Sequence, residues 1–219
     1  AHGLRTLVDN SYATPLHQKP IDLGIDLVAH SATKYLNGHS DVVAGALCGS
    51  KALIREVFKG PYMTLGAMLS PHDAWLMIRG LRTLPLRMER IAASTARVVA
   101  FLRDHPKVQR LWYPQAGEVG RGGGVDQLQG ASGLLSIALR CDSTAGVERF
   151  CDALQRFLMT VSWGGYESLC FPVAAVYPPQ TPVGEARPGQ VPVNVVRLSI
   201  GLEEPEVLIA DLSQALERV

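Results

Sequence analysis

Short apolar runs that end in polar residues dominate the first part of the chain. The run at 7–8 leads into Asp9, and the run at 27–29 leads towards Ser31. Residues 42–47 form a third run. Such runs are typical of strands buried on both faces of an α/β sheet. Because ligands of these sheets bind beyond the strand ends, chemistry is expected at Asp9 and in the turn after Ser31.

Helical patterns follow these runs. Residues 51–58 predict a short helix, which the Lys-Gly-Pro sequence at 59–61 should stop. Ser70 predicts the N-cap of a second helix. Its pattern is helical from 73 to 104 and is interrupted by Pro85. Since proline removes a backbone donor, we expect the helix to kink or break near Pro85 and place a domain boundary there.

The rest of the chain predicts a small α+β domain with alternating helices and strands. Helices are expected at 87–104, 143–158 and 205–219, and strands at 108–112, 134–139 and 195–200. A glycine-rich stretch at 117–130 predicts a mobile loop. The fold class is therefore α/β, with one domain over 1–85 and a second over 86–219.

Composition narrows the classes of partner. The chain has 219 residues, of which 47% are hydrophobic and 19% charged, with a formal net charge of +1. This balance predicts a globular protein with a substantial core and gives no basic field for nucleic acid. No apolar stretch is long enough to span a bilayer. We therefore expect small polar or zwitterionic substrates, with no nucleic-acid and no membrane partner.

The cysteines, the histidines and the start of the chain add further expectations. Four cysteines occur singly and six histidines form no ligand pattern, so we predict reduced, mostly buried thiols and no metal. Nothing at the start resembles a signal peptide, which makes the cytoplasm the expected location. The chain lacks an initial Met and opens on an apolar run, so we expect it to be the later part of a longer protein.

Five blocks of sequence share one resemblance. They are Val8-Asp9-Asn10-Ser11-Tyr12, Ser31-Ala32-Thr33-Lys34 with Gly38-His39-Ser40-Asp41, Arg79-Gly80-Leu81-Arg82-Thr83-Leu84, the residues 162–169, and the residues 197–203. In these blocks the chain resembles the Cys/Met-metabolism pyridoxal-phosphate enzymes, which include cystathionine β-lyase, cystathionine γ-lyase, cystathionine γ-synthase and methionine γ-lyase. The resemblance implies part of an aspartate aminotransferase-like (fold type I) large domain, followed by a small C-terminal domain.

The resemblance implies that Lys34 is the catalytic residue. It would form the Schiff base with pyridoxal 5′-phosphate and afterwards move protons on the substrate. The alternative is a solvated surface lysine. Its position beside Thr33 and Tyr35, just past an apolar run, is a poor setting for a surface lysine. We therefore prefer the catalytic interpretation.

Three other residues would bind the cofactor by the same resemblance. Asp9 would pair with the pyridine nitrogen and keep it protonated. The hydroxyls of Ser31 and Thr33 would contact the phosphate. Two structural alternatives stay open, namely an Asx-turn between Asp9 and Ser11, and simple capping of a helix by Ser31.

Arg197 and Ser162 would bind the substrate. A guanidinium in an apolar strand needs an anion, and the substrate α-carboxylate would supply it. The alternative is a structural ion pair of Arg197 with Glu203 or Glu185. Ser162 would position either the Lys34 amine or the substrate carboxylate, and its alternative is an ordinary turn serine.

Trp163, in the substrate-binding block, bears on the reaction. Many γ-acting members have Leu at this position and often Glu at the position of Val161, so both residues favour cystathionine β-lyase. The Trp163 ring would otherwise fill core volume. Residues 10–15 look more like the γ-lyase and γ-synthase branches. We predict β-elimination giving homocysteine, pyruvate and ammonia, with cystathionine γ-lyase, γ-synthase or methionine γ-lyase activity as the alternative.

The resemblance also implies partners. These are a small sulfur-containing amino acid as substrate and a homo-oligomer, a tetramer in the family. A preceding segment supplies further cofactor contacts in full-length members, so we expect this chain to be inactive unless another chain provides them. Two alternatives are a truncated oligomerisation module and a cofactor-binding protein without turnover. The arginines at 79, 82, 87 and 90 predict a solvated or intersubunit face.

Overall fold

The computed structural model describes residues 3–114, 127–176, 183 and 191–219. The chain forms two compact units that divide between Met88 and Glu89. The first unit also includes the segment that ends at Ala131, and the second resumes at Ser132. Each unit is built on its own sheet. The division into functional domains at 1–85 and 86–219 stays a prediction.

The first unit contains a three-stranded sheet in the order β1-β2-β3. β1 and β2 are parallel, whereas β2 and β3 are antiparallel. The strands are β1 (Leu7–Asp9), β2 (Leu27–Ser31) and β3 (Gly45–Gly49). The helices are α1 (Thr14–His17), α2 (Lys51–Val57), α3 (Met63–Leu65) and the start of α4 (Pro71–Arg103), with a 3₁₀ turn at Pro20–Leu23 and a π-helical turn at Phe58–Tyr62.

The strands of the first unit agree only partly with the sequence pattern. β1 and β2 lie where the apolar runs predict them. β3 begins three residues late, and Val43 of the predicted run is 87% exposed. Burial on both faces is wrong for this sheet, because Leu7 on β1 is 61% exposed and Leu47 on β3 is also exposed. The short apolar runs therefore predicted the positions of the strands well, but they did not predict how exposed the strand side chains are.

Two proline-based predictions are wrong. Helix α4 runs through Pro85 without a break and continues to Arg103. Leu84, Met88 and Ile91 are all buried on either side of the proline, and this packing outweighs one missing backbone hydrogen bond. α2 ends at Val57, but the sequence at 59–61 does not end the helical conformation, because Pro61 lies inside the π-helical turn that follows and α3 begins directly after it. Ser70 does cap α4, accepting a 3.0 Å hydrogen bond from the Asp73 N–H.

The second unit contains a five-stranded sheet in the order β4-β5-β8-β7-β6. Its strands are β4 (Val108–Trp112), β5 (Leu134–Leu139), β6 (Leu158–Met159), β7 (Leu169–Pro172) and β8 (Val195–Ser199). Its helices are the end of α4, α5 (Thr144–Ala153) and α6 (Pro205–Leu216), with a 3₁₀ turn at Val173–Val176. Pairing is antiparallel except between β6 and β7.

The core of this unit lies between the sheet and its helices. The fully buried side chains alternate along the central strands and recur on one face of each helix. They include Ile137, Leu139, Phe150, Leu198, Leu208 and Leu212. The sequence pattern predicted β4, β5, β8 and α6, but it missed β6 and β7. It also extended α5 to 158, where the chain has already entered β6. Residues 117–126 of the predicted glycine-rich loop lie outside the described residues.

Four free cysteines occur in the described residues, and the expectation of mostly buried thiols holds for only two of them. Cys151 and Cys170 are buried, Cys141 is half-buried and Cys48 is exposed. The reason is that Cys48 lies on β3, whose side chains are largely exposed. A search of the described helices finds none that is both long and apolar enough to cross a membrane.

Asp211 on α6 holds the segment between α5 and β6. Its carboxylate accepts hydrogen bonds from the N–H groups of Gln155 and Arg156, at 2.9 and 2.8 Å, and from that of Phe157. Asp211→Ala would leave these donors without their acceptor, so we expect the free energy of unfolding to fall by about 2–4 kcal/mol. Urea unfolding would measure this.

The exposed Asp152 on α5 provides a matched control for that loss. Asp152→Ala should change the free energy of unfolding by less than about 0.5 kcal/mol. An equal effect of the two substitutions would contradict the role assigned to Asp211.

Candidate functional site

Two parallel strand ends in the first unit are joined through one serine. β1 ends at Asp9 and its neighbour β2 ends at Ser31. The N–H and O–H of Ser11 donate to Asp9 Oδ1 at 2.8 and 2.5 Å. Ser11 Oγ accepts in turn from the Ser31 N–H at 2.6 Å. The Asp9 carboxylate is therefore one hydroxyl group away from the start of the turn that carries Lys34.

The electrostatics keep Asp9 ionised. The hydrogen bonds from the Ser11 hydroxyl and backbone lower the pKa of Asp9, and they outweigh the opposing effect of burial. The contact with Ser11 is the Asx-turn that the sequence left open as an alternative. It uses only Oδ1. Oδ2 accepts no hydrogen bond from any described residue, so the Asx-turn leaves one carboxylate oxygen able to bind another donor.

The residues after Ser31 form a hydrogen-bonded turn. The Lys34 N–H donates to the Ser31 carbonyl at 3.0 Å, and the Gly38 N–H donates to the Lys34 carbonyl at 2.8 Å. No helix follows Ser31 in this part of the described chain, so the helix-capping alternative for Ser31 is wrong. His39 Nδ1 lies 2.6 Å from the Asn37 carbonyl, which can only accept, so Nδ1 carries the proton.

The two predicted phosphate-binding hydroxyls differ in their environment. Thr33 Oγ1 donates to the Ala44 carbonyl at 3.2 Å and accepts from the Ala44 N–H at 3.0 Å. Its single proton is therefore used within the protein. The Ser31 hydroxyl makes no hydrogen bond to the described residues. Ser31 is thus the better placed of the two to donate to a ligand.

His30, a buried side chain near this turn, was missed as a site residue by the sequence reasoning. It lies on β2, it is 7% exposed, and its Nδ1 has no hydrogen-bond partner among the described residues. Burial lowers the pKa of His30, with a smaller opposing effect from Asp9, so the imidazole is neutral at pH 7. In the sequence, His30 lies two residues after Val28 in a strand, and this spacing places both side chains on the same, buried face.

The arginine series does not form the single solvated or intersubunit face that its spacing predicts. Arg82 is exposed, Arg79 lies 5.1 Å from the centroid of the Trp75 ring, and Arg90 forms a 2.8 Å ion pair with Glu204. Arg87 contradicts the prediction, because it is 6% exposed. Its guanidinium hydrogen-bonds to backbone carbonyls of the first unit, including that of Tyr35 beside Lys34.

A second group of predicted site residues lies together in the second unit. Arg197 on β8 donates from Nη2 to the Ser162 carbonyl at 2.8 Å, and its guanidinium lies 5.2 Å from the centroid of the Phe171 ring. The alternative ion pair with Glu203 is wrong, because the Glu203 carboxylate binds Ser168 instead. Glu185 lies outside the described residues.

The charge on Arg197 has no anionic partner among the described residues. Burial lowers the pKa of Arg197, and only Cys170 acts in the opposite direction. A hydrogen bond with Cys151, together with burial, raises the pKa of Cys170, so the Cys170 thiol is neutral at physiological pH. A half-buried guanidinium with a neutral neighbour is able to bind a carboxylate.

The loop from Ser162 to Ser168 is held in a defined conformation. Ser162 has φ 79° and Gly164 has φ 82°, so the serine occupies the left-handed region that normally favours glycine. At the far end, the Ser168 N–H and O–H each donate to Glu203 at 2.8 Å, and Ser168 Oγ accepts from the Gly201 N–H at 2.9 Å. Trp163, next to Ser162, is half-buried.

Comparison with known proteins decides the family. The family model described as Cys/Met metabolism PLP-dependent enzyme matches residues 1–217. The chain belongs to this family. The α/β fold of the PLP-dependent, fold type I class is confirmed by the solved structures that it matches. The prediction of pyridoxal phosphate as cofactor is confirmed by the family.

Three relatives illustrate the match. The L-methionine gamma-lyase of Pseudomonas putida is 42% identical over 99% of this chain and 54% of its own length. The cystathionine gamma-lyase of Bacillus subtilis is 36% identical over 99% of this chain and 57% of its own length. The crystal structure of a methionine gamma lyase from Micromonospora echinospora is 34% identical, has a TM-score of 0.86 and covers 98% of this chain and 56% of that one. The chain thus spans about half the length of these relatives.

The chemistry of the first unit fits the cofactor of this PLP-dependent family. An ionised carboxylate with one open oxygen suits the pyridine nitrogen, and the open hydroxyl of Ser31 suits a phosphate oxygen. Lys34 is joined to both by the hydrogen bonds from Asp9 through Ser11 to Ser31. These residues occupy the strand ends where the fold class places ligands.

Proposed function

We propose that this chain provides part of a PLP-dependent carbon–sulfur lyase that acts on a sulfur-containing amino acid by γ-elimination. One observation carries the proposal. The hydrogen bonds from Asp9 through Ser11 to Ser31 join an ionised carboxylate to the turn that bears Lys34. Pyridoxal phosphate needs both groups, because its ring nitrogen pairs with a carboxylate and its aldehyde reacts with an amine. Assembly into a homo-oligomer and a cytoplasmic location stay predictions.

Four residues would hold the cofactor. Lys34 would bind it covalently, Asp9 Oδ2 would accept a hydrogen bond from the protonated ring nitrogen, and Ser31, with Thr33 as a second donor, would bind the phosphate. When bound, pyridoxal phosphate supplies an electron sink for the charge left at the substrate α-carbon. Thr33 would have to exchange its bond to the Ala44 carbonyl for one to the phosphate.

Lys34 would also move protons. Its free amine at Nζ would act as the general base that takes a proton from the substrate α-carbon. An ionised Asp9 would favour this transfer, because its negative charge would keep the nitrogen of a bound pyridine ring protonated. His30 cannot substitute for Asp9, since burial keeps its imidazole neutral.

Arg197 would select amino acids by their α-carboxylate. Its guanidinium is oriented by the Ser162 carbonyl and by the Phe171 ring, which together leave further N–H groups for an anion. The planar donors of arginine match the two oxygens of a carboxylate. Ser162 and Trp163 would line the substrate side of this loop.

The choice between γ- and β-elimination rests on different observations. The relatives named above are methionine and cystathionine gamma-lyases, which supports γ-elimination. β-Elimination of a cystathionine-like substrate, giving homocysteine, pyruvate and ammonia, is the second candidate. Trp163 and Val161 favour it, because they differ from the Leu and Glu common in γ-acting members. γ-Replacement, as in a γ-synthase, would share the first steps of γ-elimination.

The test has two stages. The chain is first incubated with pyridoxal phosphate and reduced with borohydride, and peptide mapping by mass spectrometry locates the attached group. Attachment at Lys34 supports the proposal, and attachment spread over several lysines refutes it. Methionine and cystathionine are then supplied together with a second chain that provides the further cofactor contacts of full-length members. Release of 2-oxobutyrate supports γ-elimination, pyruvate supports the β-elimination candidate, and attachment without either product indicates cofactor binding without turnover.

The role of Arg197 leads to a kinetic prediction. Arg197→Lys keeps the charge but loses the planar pair of donors, so we expect KM for the amino-acid substrate to rise about ten- to a hundredfold with a smaller change in kcat. Steady-state kinetics would show this. The exposed Arg156 supplies the control, and Arg156→Lys should leave both constants unchanged. A fall in kcat alone would contradict carboxylate binding by Arg197.

A further inference from the structure

A buried arginine holds the turn that carries Lys34. Arg87 on α4 is 6% exposed. Its Nη1 donates to the Tyr35 carbonyl at 2.8 Å, and its Nη2 lies 3.5 Å from the Leu36 carbonyl. These are the two carbonyl groups that follow Lys34 in the chain. The guanidinium therefore contacts the backbone on the C-terminal side of the lysine.

The rest of the guanidinium is fixed by the helix itself. Nη2 also donates to the Gly80 carbonyl at 2.9 Å, and Nε donates to Thr83 Oγ1 at 3.1 Å. The Thr83 hydroxyl in turn donates to the Gly80 carbonyl at 3.1 Å. Arg87 thus bridges one turn of α4 and the lysine turn through a rigid, planar set of donors.

Glycine at two positions allows this close approach. A Cβ at Gly38 would overlap the Arg87 guanidinium, and Gly38 also has φ 70°. A Cβ at Gly80 would overlap the backbone of Asn37. The absence of a Cβ at these two glycines therefore lets the turn pack directly against α4 and against the Arg87 guanidinium. Neither contact would form if the turn moved away from the helix.

The charge of Arg87 is held by carbonyl oxygens. None of its hydrogen bonds goes to a carboxylate, and burial lowers the pKa of the guanidinium. A buried cation satisfied only by carbonyl groups and one hydroxyl depends on their positions. Displacement of the lysine turn would remove two of these acceptors, so Arg87 resists that displacement.

We propose that Arg87 is a positioning residue for Lys34, whose guanidinium ties the carbonyl groups of Tyr35 and Leu36 to α4 and thereby fixes the backbone from which the lysine extends. This inference rests on the proposed function of Lys34. Its consequence is geometric. A catalytic amine misplaced by about 1 Å can lose two orders of magnitude in rate, so a fixed turn matters more here than on an ordinary surface.

Hydrogen exchange of the cofactor-free chain tests the positioning role directly. The amides of Lys34, Asn37 and Gly38 are all hydrogen-bonded within the turn. In Arg87→Lys and Arg87→Met we expect their protection to fall about tenfold or more, while amides paired between β2 and β3 keep theirs. The exposed Arg82 gives the matched control, Arg82→Met, which should behave as wild type. Unchanged protection of the turn, or an equal loss in β2 and β3, would overturn the inference.

The rate of cofactor trapping at Lys34 provides the second readout. With pyridoxal phosphate and borohydride, we expect trapping at Lys34 to slow about tenfold in Arg87→Met and less in Arg87→Lys, with no change in Arg82→Met. If Arg87→Met does not fold, Arg87→Lys alone decides the matter, since it keeps the charge. Failure of the wild-type chain to react at Lys34 would refute the proposed function. Normal reaction in wild type and in both Arg87 variants would refute only the positioning role.

Discussion

Replacing Lys34 with alanine should abolish covalent attachment of pyridoxal phosphate to this chain. Lys34 lies in a turn tied by hydrogen bonds to an ionised carboxylate, whereas the other lysines lack such a setting among the described residues. Attachment at a defined lysine needs both the amine and groups that bind the rest of the cofactor. We therefore expect the visible absorption band of the cofactor complex to disappear, and elimination activity to fall by at least about a thousandfold.

The control for this substitution is Lys51→Ala, which removes an exposed lysine at the start of α2 in the same unit. It should retain the band and the labelled Lys34 peptide. Spectra recorded at equal protein and cofactor concentrations, followed by peptide mapping, separate the two variants. An undiminished band in Lys34→Ala would show that the cofactor binds elsewhere.

Replacing Asp9 with asparagine should have the second largest effect. The amide keeps the size of the side chain but loses the negative charge, so it cannot keep a pyridine nitrogen protonated. We expect kcat to fall by at least about a hundredfold, while trapping at Lys34 is reduced much less. Comparison of kcat with the amount of trapped cofactor would reveal this difference. Equal losses in both would indicate a structural role only.

The same variant predicts a change of stability with pH. Because the pKa of Asp9 is lowered in the folded protein, its contribution to stability is present above the ordinary carboxyl range and is lost as pH falls through the folded value. The difference in unfolding free energy between wild type and Asp9→Asn should thus be constant from about pH 5 to 8 and shrink below about pH 4. Urea unfolding of wild type and Asp9→Asn across this pH range would measure the difference.

The fold was predictable where local patterns agree with packing. β1, β2 and β8 are short apolar runs with polar ends, and they form where the pattern indicates. β6 has only two residues and β7 ends in a proline, so neither gives a periodic signal. The break predicted at Pro85 was wrong for a related reason. The burial of α4 on both sides of Pro85 depends on tertiary contacts, which the local sequence does not show.

The sequence predicted only those residues of the site that belong to recognisable motifs. The block around Lys34 and the strand-end Asp9 identified the cofactor, and the family confirms that cofactor. The role of Ser11 as the link to Ser31 depends on the pairing of β1 with β2, which no local pattern shows. Arg87 and Arg82 lie on the same helix but about 140° apart around its axis, and only Arg87 is buried. The Arg87 guanidinium fills space that a Cβ at Gly38 would occupy, and this contact between distant parts of the chain gives no local signal.

The bonds between Glu203 and Ser168 have a consequence for how this sequence can change. One carboxylate binds both the backbone and the hydroxyl of Ser168, and that hydroxyl also receives the Gly201 N–H. Substitutions at Glu203 and Ser168 will not be additive, because either one alone removes most of what the other contributes. We therefore expect the two positions to change together in evolution. A directed-evolution library that varies only one of them will contain mostly variants that lack these hydrogen bonds.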